Sequence, residues 1–241
     1  MIIYKPNSIN IKGNVLRAVR EMPGIKISKE SLGEVCIETF ENIRKSNELM
    51  ILLRDKANKI LGSERLVMAN NNPNAAGLYI ETSPEFRRKG YGIGEILRLS
   101  SIILILKNKI KEFEIFSKAE AVYFHSKYKL EPAIKQFSER DIALSNIIYN
   151  CQNEFKDFAI RAKQILEKCQ TFKSPESQRG FCVETNALLK EYIQEVLKTK
   201  DKYKSHSFER GFRMILDTNE ILNNKEYFNS LYEKHGINYK I

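Results

Sequence analysis

Residues 87–94 read Arg-Arg-Lys-Gly-Tyr-Gly-Ile-Gly, the densest cluster of cations and glycines in the chain. Glycines at 90, 92 and 94 let the backbone approach a ligand closely. A helix starting at about Gly92 presents unpaired N–H groups and the positive end of its dipole. The chemistry this implies is recognition of a phosphate or diphosphate. Three loop patterns compete. GxxxxGK[ST] fails, because no Lys-Ser or Lys-Thr follows these glycines. GxGxxG fails on spacing. Arg-x-x-Gly-x-Gly after a strand fits Arg87 to Gly92, with Pro84 three residues before Arg87.

Other residues with chemistry are scattered. Glu81 lies on the strand before the loop. His125 and Tyr123 lie on a short helical segment downstream, two residues apart and so on different faces. Either side chain can donate a proton. The histidines (His125, His206, His235) and cysteines (Cys36, Cys151, Cys169, Cys182) do not cluster, so no metal site is assigned. Cys36, Cys151 and Cys169 fall on apolar helical faces, as buried free thiols do. That suits a reducing compartment, hence the cytoplasm.

The elements that must position these residues follow from apolar spacing. Helices are predicted at Asn14 to Glu21 and after Ser28 through Ile43. Strands are predicted at Leu49 to Leu53, Ile60 to Met68 and Gly77 to Thr82, with a hairpin turn at Asp55 to Asn58. Gly92 to Lys107 reads as a helix packed between layers. Phe113 to Phe116 reads as a strand and Ala119 to Lys127 as a short helix. Pro132 to Phe137 leaves room for one short strand.

From Ser138 the pattern is helical. A capping-box signature at Ser138 to Asp141 opens one long helix that ends before Ser174-Pro175. Further helices carry Leu189 to Leu197, Phe208 to Leu216, and Tyr227 to Leu231, the last ending at Gly236. Two domains are expected, 1–135 and 136–241.

The bulk numbers bound the answer. The chain has 241 residues, is 42% hydrophobic and 29% charged, and is therefore globular rather than disordered. Lys and Arg number 40 against 30 Asp and Glu, a net +10 that favours anionic partners. The excess is diffuse, so no linear basic patch argues for nucleic acid. The longest apolar run, Ile102 to Leu106, is far short of the roughly 20 residues that span a bilayer. The N-terminus lacks the order of a signal peptide.

The third loop pattern resembles the acetyl-CoA loop of the GNAT superfamily of N-acetyltransferases. The downstream segment Ala121-Val122-Tyr123-Phe124-His125-Ser126-Lys127-Tyr128-Lys129-Leu130 resembles that family's A-x-x-F-Y-x-K-x-G-F helix. The hairpin with Leu61-Gly62 resembles its second and third strands. The two helices predicted near the N-terminus sit where that fold places its first pair. The resemblance covers about residues 1–130.

It implies an α/β fold, a mixed central sheet flanked by helices, here followed by an all-α C-terminal module. It implies that acetyl-CoA is the donor and a primary amine the acceptor: a protein lysine or N-terminus, a small amine, or an aminoacyl-tRNA. Backbone amides of Arg88, Lys89, Gly90, Tyr91, Gly92 and Ile93 then cradle the diphosphate, with Arg87 beside them. Main-chain groups of Ile80 and Thr82 pair with the pantetheine arm. His125 takes the place of the family's tyrosine acid, Lys129-Leu130 that of Gly-Phe, and Lys118 that of a common asparagine. The alternative is a catalytically degenerate acyl-CoA-binding sensor or scaffold, and for location an exported effector acting in a host cell.

Overall fold

The computed structural model describes residues 8–11, 14–21, 27–29, 31–42, 45–68, 73–87, 89–199 and 205–241. The chain forms two compact units, one of Met1–Phe113 with Asp217–Ile241, the other of Glu114–Leu216.

The first unit is built on an antiparallel sheet. Its strands are β1 (Ser8–Ile11), β2 (Asn14–Glu21), β3 (Ile27–Lys29), β4 (Gly33–Asn42), β5 (Lys45–Asp55), β6 (Ile60–Met68) and β7 (Asn74–Thr82). The order is β1-β2-β4-β5-β6-β7, with β3 also on β4. Alternation explains β4: Val35, Ile37 and Thr39 are buried while Cys36 is exposed.

This corrects the two helices predicted for Asn14 to Glu21 and for the segment after Ser28. Val35, Thr39 and Phe40 satisfy a helical spacing, but Val35, Ile37 and Thr39 satisfy a spacing of two equally well. Pairing between β2 and β4 and between β4 and β5 selects the strand. The Cys36 thiol accordingly lies outside the core, where a buried helical position had been expected.

The β5–β6 hairpin turns where expected. Asn58 adopts φ 65° and its N–H donates to the Asp55 carbonyl at 2.9 Å. Over the sheet lies α1 (Ile93–Lys107), which packs on β5, β6 and β7. It buries residues on all sides, Ile96, Leu97, Leu99, Ile102 and Ile103 among them. The buried Ser100 hydroxyl donates to the Ile96 carbonyl at 2.7 Å, so its burial leaves no donor unsatisfied. After the second unit the chain returns as α6 (Thr218–Asn223) and α7 (Lys225–Lys234). Ile221, Phe228 and Tyr232 are fully buried, and Ile237 bridges to Ile27.

The second unit carries most of β8 (Glu112–Ser117), α2 (Val122–Ser126), β9 (Glu131–Pro132), α3 (Phe137–Asn150), α4 (Lys156–Thr171), α5 (Pro175–Lys198) and β10 (Phe212–Asp217). Strand β10 lies between β8 and β9, pairing antiparallel with β9. The helix predicted around Phe208 to Leu216 is therefore a strand over its second half. Phe212, Met214 and Leu216 are buried and alternate with Arg213 and Ile215, a period of two.

The single long helix expected from Ser138 is two helices, because the chain breaks at 151–155, where Phe155 takes φ 54°. The helix start also differs: Gln136 is the N-cap and no side chain caps it. Ser174-Pro175 does not merely stop a helix but starts α5, with the Ser174 hydroxyl accepting from the Ser177 N–H at 3.2 Å. Helices α3, α4 and α5 pack together around Leu144, Ile147, Ala162, Leu189 and Tyr192. Among the described residues no helix is long and apolar enough to cross a membrane.

Candidate functional site

Strand β7 ends at Thr82, opposite Gly62 on β6. A Cβ on Gly62 would lie 2.7 Å from the Glu81 carbonyl oxygen, 2.9 Å from Ile93 Cγ2 and 3.0 Å from Leu97 Cδ1. Gly62 thus permits the end of β7 and the first turns of α1 to sit directly against β6. Ser83 locks the exit from the strand. Its N–H donates to the Leu61 carbonyl at 2.9 Å and its hydroxyl to the Ile60 carbonyl at 2.8 Å. A single 3-10 turn follows at Pro84–Phe86.

Arg87 braces what comes next. Its Nε donates to the Thr82 carbonyl at 2.9 Å and its Nη2 to Glu81 Oε1 at 3.1 Å. Tyr91 packs edge-on against Phe86, with ring centroids 6.0 Å apart. Gly90 and Gly92 hold φ of 74° and 69°, the left-handed region that disfavours any side chain. Gly92 is the N-cap of α1, and no side chain caps that helix. A Cβ at Gly90 would meet nothing within 4 Å. An uncapped helix start is what an anion-binding role requires. Lys89 is exposed beside it, while Arg88 lies outside the described residues.

Behind the loop, α1 is tied to the sheet by a buried ion pair, Arg98 Nη1 to Glu64 Oε1 at 2.8 Å. The Arg98 guanidinium also lies 5.2 Å from the centre of the Phe113 ring. Burial pushes the Glu64 carboxyl up to about 7, while Arg98 and Ser101 pull it the other way. Sequence reasoning missed this pair. An Arg within an apolar helix and a Glu within an alternating strand were its signals.

In the second unit, Tyr123 and His125 both lie on α2 and both are buried, 7% and 5% exposed. The Tyr123 hydroxyl donates to the His206 carbonyl at 2.5 Å, and burial raises the phenol well above its usual range. The Tyr192 hydroxyl meets His206 Nδ1 at 2.9 Å. Tyr123 is thereby part of the packing of this unit. His125 stacks edge-on with Phe124, ring centroids 5.0 Å apart. Lys129 holds φ 62°, so a lysine occupies a left-handed position at which the resemblance implies glycine.

The structure thus brings Glu81, Thr82, Arg87 and the 89–93 loop together in the first unit, and places Tyr123 and His125 together in the second. Ile80 is on β7, paired with Glu64. Among the described residues no cluster of His, Cys, Asp or Glu could hold a metal ion.

Neither a family model nor a curated protein matches the sequence. Solved structures similar to part of the chain include acetyltransferases, some of them of the GNAT family. GCN5 from Tetrahymena is 12% identical over 37% of this chain and 55% of its own length, with a TM-score of 0.33. A GNAT-family acetyltransferase from Staphylococcus aureus Mu50 is 18% identical over 37% of this chain and 57% of its own, TM-score 0.33. PaiA N-acetyltransferase from Thermoplasma acidophilum, in complex with coenzyme A, is 18% identical over 37% and 55%, TM-score 0.31. The chain spans little more than half the length of each of these three.

Proposed function

We propose that the chain is an acyl-CoA-dependent N-acetyltransferase that uses acetyl-CoA and a primary amine. One observation carries the reading: an uncapped α1 that begins at Gly92 in the left-handed conformation, directly after a loop braced by Arg87. The fit to a diphosphate is good on three counts. The glycines remove side chains where amides must converge, the first helical amides lack a side-chain cap, and Lys89 adds exposed positive charge. Acetyl-CoA bound there supplies an activated acyl group.

The chain's own residues then do the rest. The amides of Lys89 to Ile93 hold the diphosphate. Main-chain groups of Ile80 and Thr82 orient the pantetheine arm. Glu81, held by Arg87, accepts the proton of the incoming amine. Tyr123 anchors α2 through the His206 carbonyl. Positioning contributes the larger share of the rate, as expected where two substrates must meet.

A thermal-shift series with CoA, acetyl-CoA, NAD and ATP tests the reading. CoA and acetyl-CoA raise the melting temperature and the other two do so weakly or not at all, since only a ligand of the native state stabilises it. Equal shifts with all four contradict it. Binding of acetyl-CoA without transfer to any amine in a broad panel makes the domain a sensor instead.

A further inference from the structure

The second unit holds a cavity of about 510 Å³ between the end of β8, the start of α3 and the residues leading into β10. That volume suits a small molecule. Five charged side chains line it: Lys118, Glu120, Glu139, Glu209 and Arg210. None of the five is ion-paired with another described residue. Glu139 Oε2 has no hydrogen-bond partner there and almost no exposure to solvent. Phe116, Ile142 and Phe212 give the same cavity an apolar side.

The walls are fixed in advance. The Glu209 N–H donates to Asn146 Oδ1 at 2.5 Å, and Asn150 Nδ2 donates to the Ser207 carbonyl at 2.9 Å, so α3 pins the segment carrying Glu209 and Arg210. Gly211 comes so close to β8 that a Cβ there would sit 1.7 Å from the Ser117 carbonyl oxygen. Lys118, Glu120, Glu209 and Arg210 are exposed and Glu139 is half-buried, so pinned walls present both signs of charge to a ligand entering from solvent.

We infer that this cavity binds a small aliphatic amine that also carries an anionic group, its ammonium among Glu120, Glu139 and Glu209 and its anion toward Lys118 and Arg210. The aliphatic segment lies along Phe116, Ile142 and Phe212. The binding itself does not rest on the proposed function.

Calorimetric titration with three probes of equal length tests it: 6-aminohexanoate, 1,6-diaminohexane and hexanoate. The amino acid binds tightest and hexanoate weakest. Glu209→Gln and Glu139→Gln each weaken 6-aminohexanoate binding by about tenfold, and Arg210→Gln by a similar factor, while CoA binding stays unchanged. Residues 209 and 210 are exposed, so those two variants fold even if the one at 139 does not. Indifference of 6-aminohexanoate binding to all three variants, or its displacement by CoA, overturns the inference. Should CoA fail to bind while the amino acid still does, the acetyltransferase reading fails and the cavity assignment stands.

Discussion

At φ 62°, Lys129 pays a steric cost that glycine avoids, roughly 1–2 kcal/mol for an L-residue in the left-handed region. Lys129→Gly is therefore expected to raise stability by about 1 kcal/mol in denaturant unfolding, the gain being reduced by glycine's greater freedom when unfolded. An unchanged or lower stability would show that contacts of the lysine side chain outweigh the strain. Residues 87–94 were legible in sequence because glycine spacing reports backbone shape directly, and Gly90 and Gly92 do adopt positive φ. The bonds of Arg87 to Thr82 and Glu81 are those of a brace, a role its position beside the loop did not reveal. Tyr123 was legible as a phenol on a helix, but its bond to the His206 carbonyl spans 83 residues, a separation that no local pattern encodes.

The close approach of β6 and β7 holds the first turns of α1. Gly62→Val forces β6, β7 and α1 apart, because its Cβ has backbone at 2.7 Å that cannot give way. The expected cost is about 1–3 kcal/mol in unfolding experiments, together with weaker acetyl-CoA binding as the helix start moves. Retained stability and affinity would mean that the sheet absorbs the side chain.

Glu64 supplies a pH dependence. Its usual value of 4.5 is raised to about 7 in the folded chain, so between these limits the folded state holds a proton that the unfolded state has lost. Its contribution to stability is complete below about 4.5 and declines as pH rises through about 7. Glu64→Gln should reduce the steepness of that decline by up to about one proton's worth of slope. An unchanged slope from pH 5 to 7 would show that Glu64 titrates alike in both states.

Strands β5 to β7 were readable from alternation between turn residues. Strand β4 was not, since Val35, Thr39 and Phe40 fit a helix as well. Strand β10 was hidden similarly, by Phe208 and Phe212 four residues apart. In both cases pairing with distant strands decides the conformation, and composition does not contain it.

At the scale of the molecule, the chain returns to its first unit after visiting its second. Ile221, Phe228, Tyr232 and Ile237, all at most 3% exposed, complete the first unit from the far end of the sequence. A chain ending at Leu216 is therefore expected to lose several kcal/mol, given about 2–5 kcal/mol for each large core side chain removed. Its acetyl-CoA binding should fall along with its melting temperature. Normal stability of the shortened chain would show that these residues only cover a finished core.

The surplus of ten positive charges is spread along the sequence, so it raises encounter with an anionic donor without fixing where that donor docks. The proposed docking rests on the few amides at the start of α1. A crystal structure with acetyl-CoA tests this most directly. The account predicts the diphosphate on the backbone N–H groups of 89–93, with Arg87 still bonded to Thr82. A diphosphate bound anywhere else, with those amides facing solvent, would contradict it.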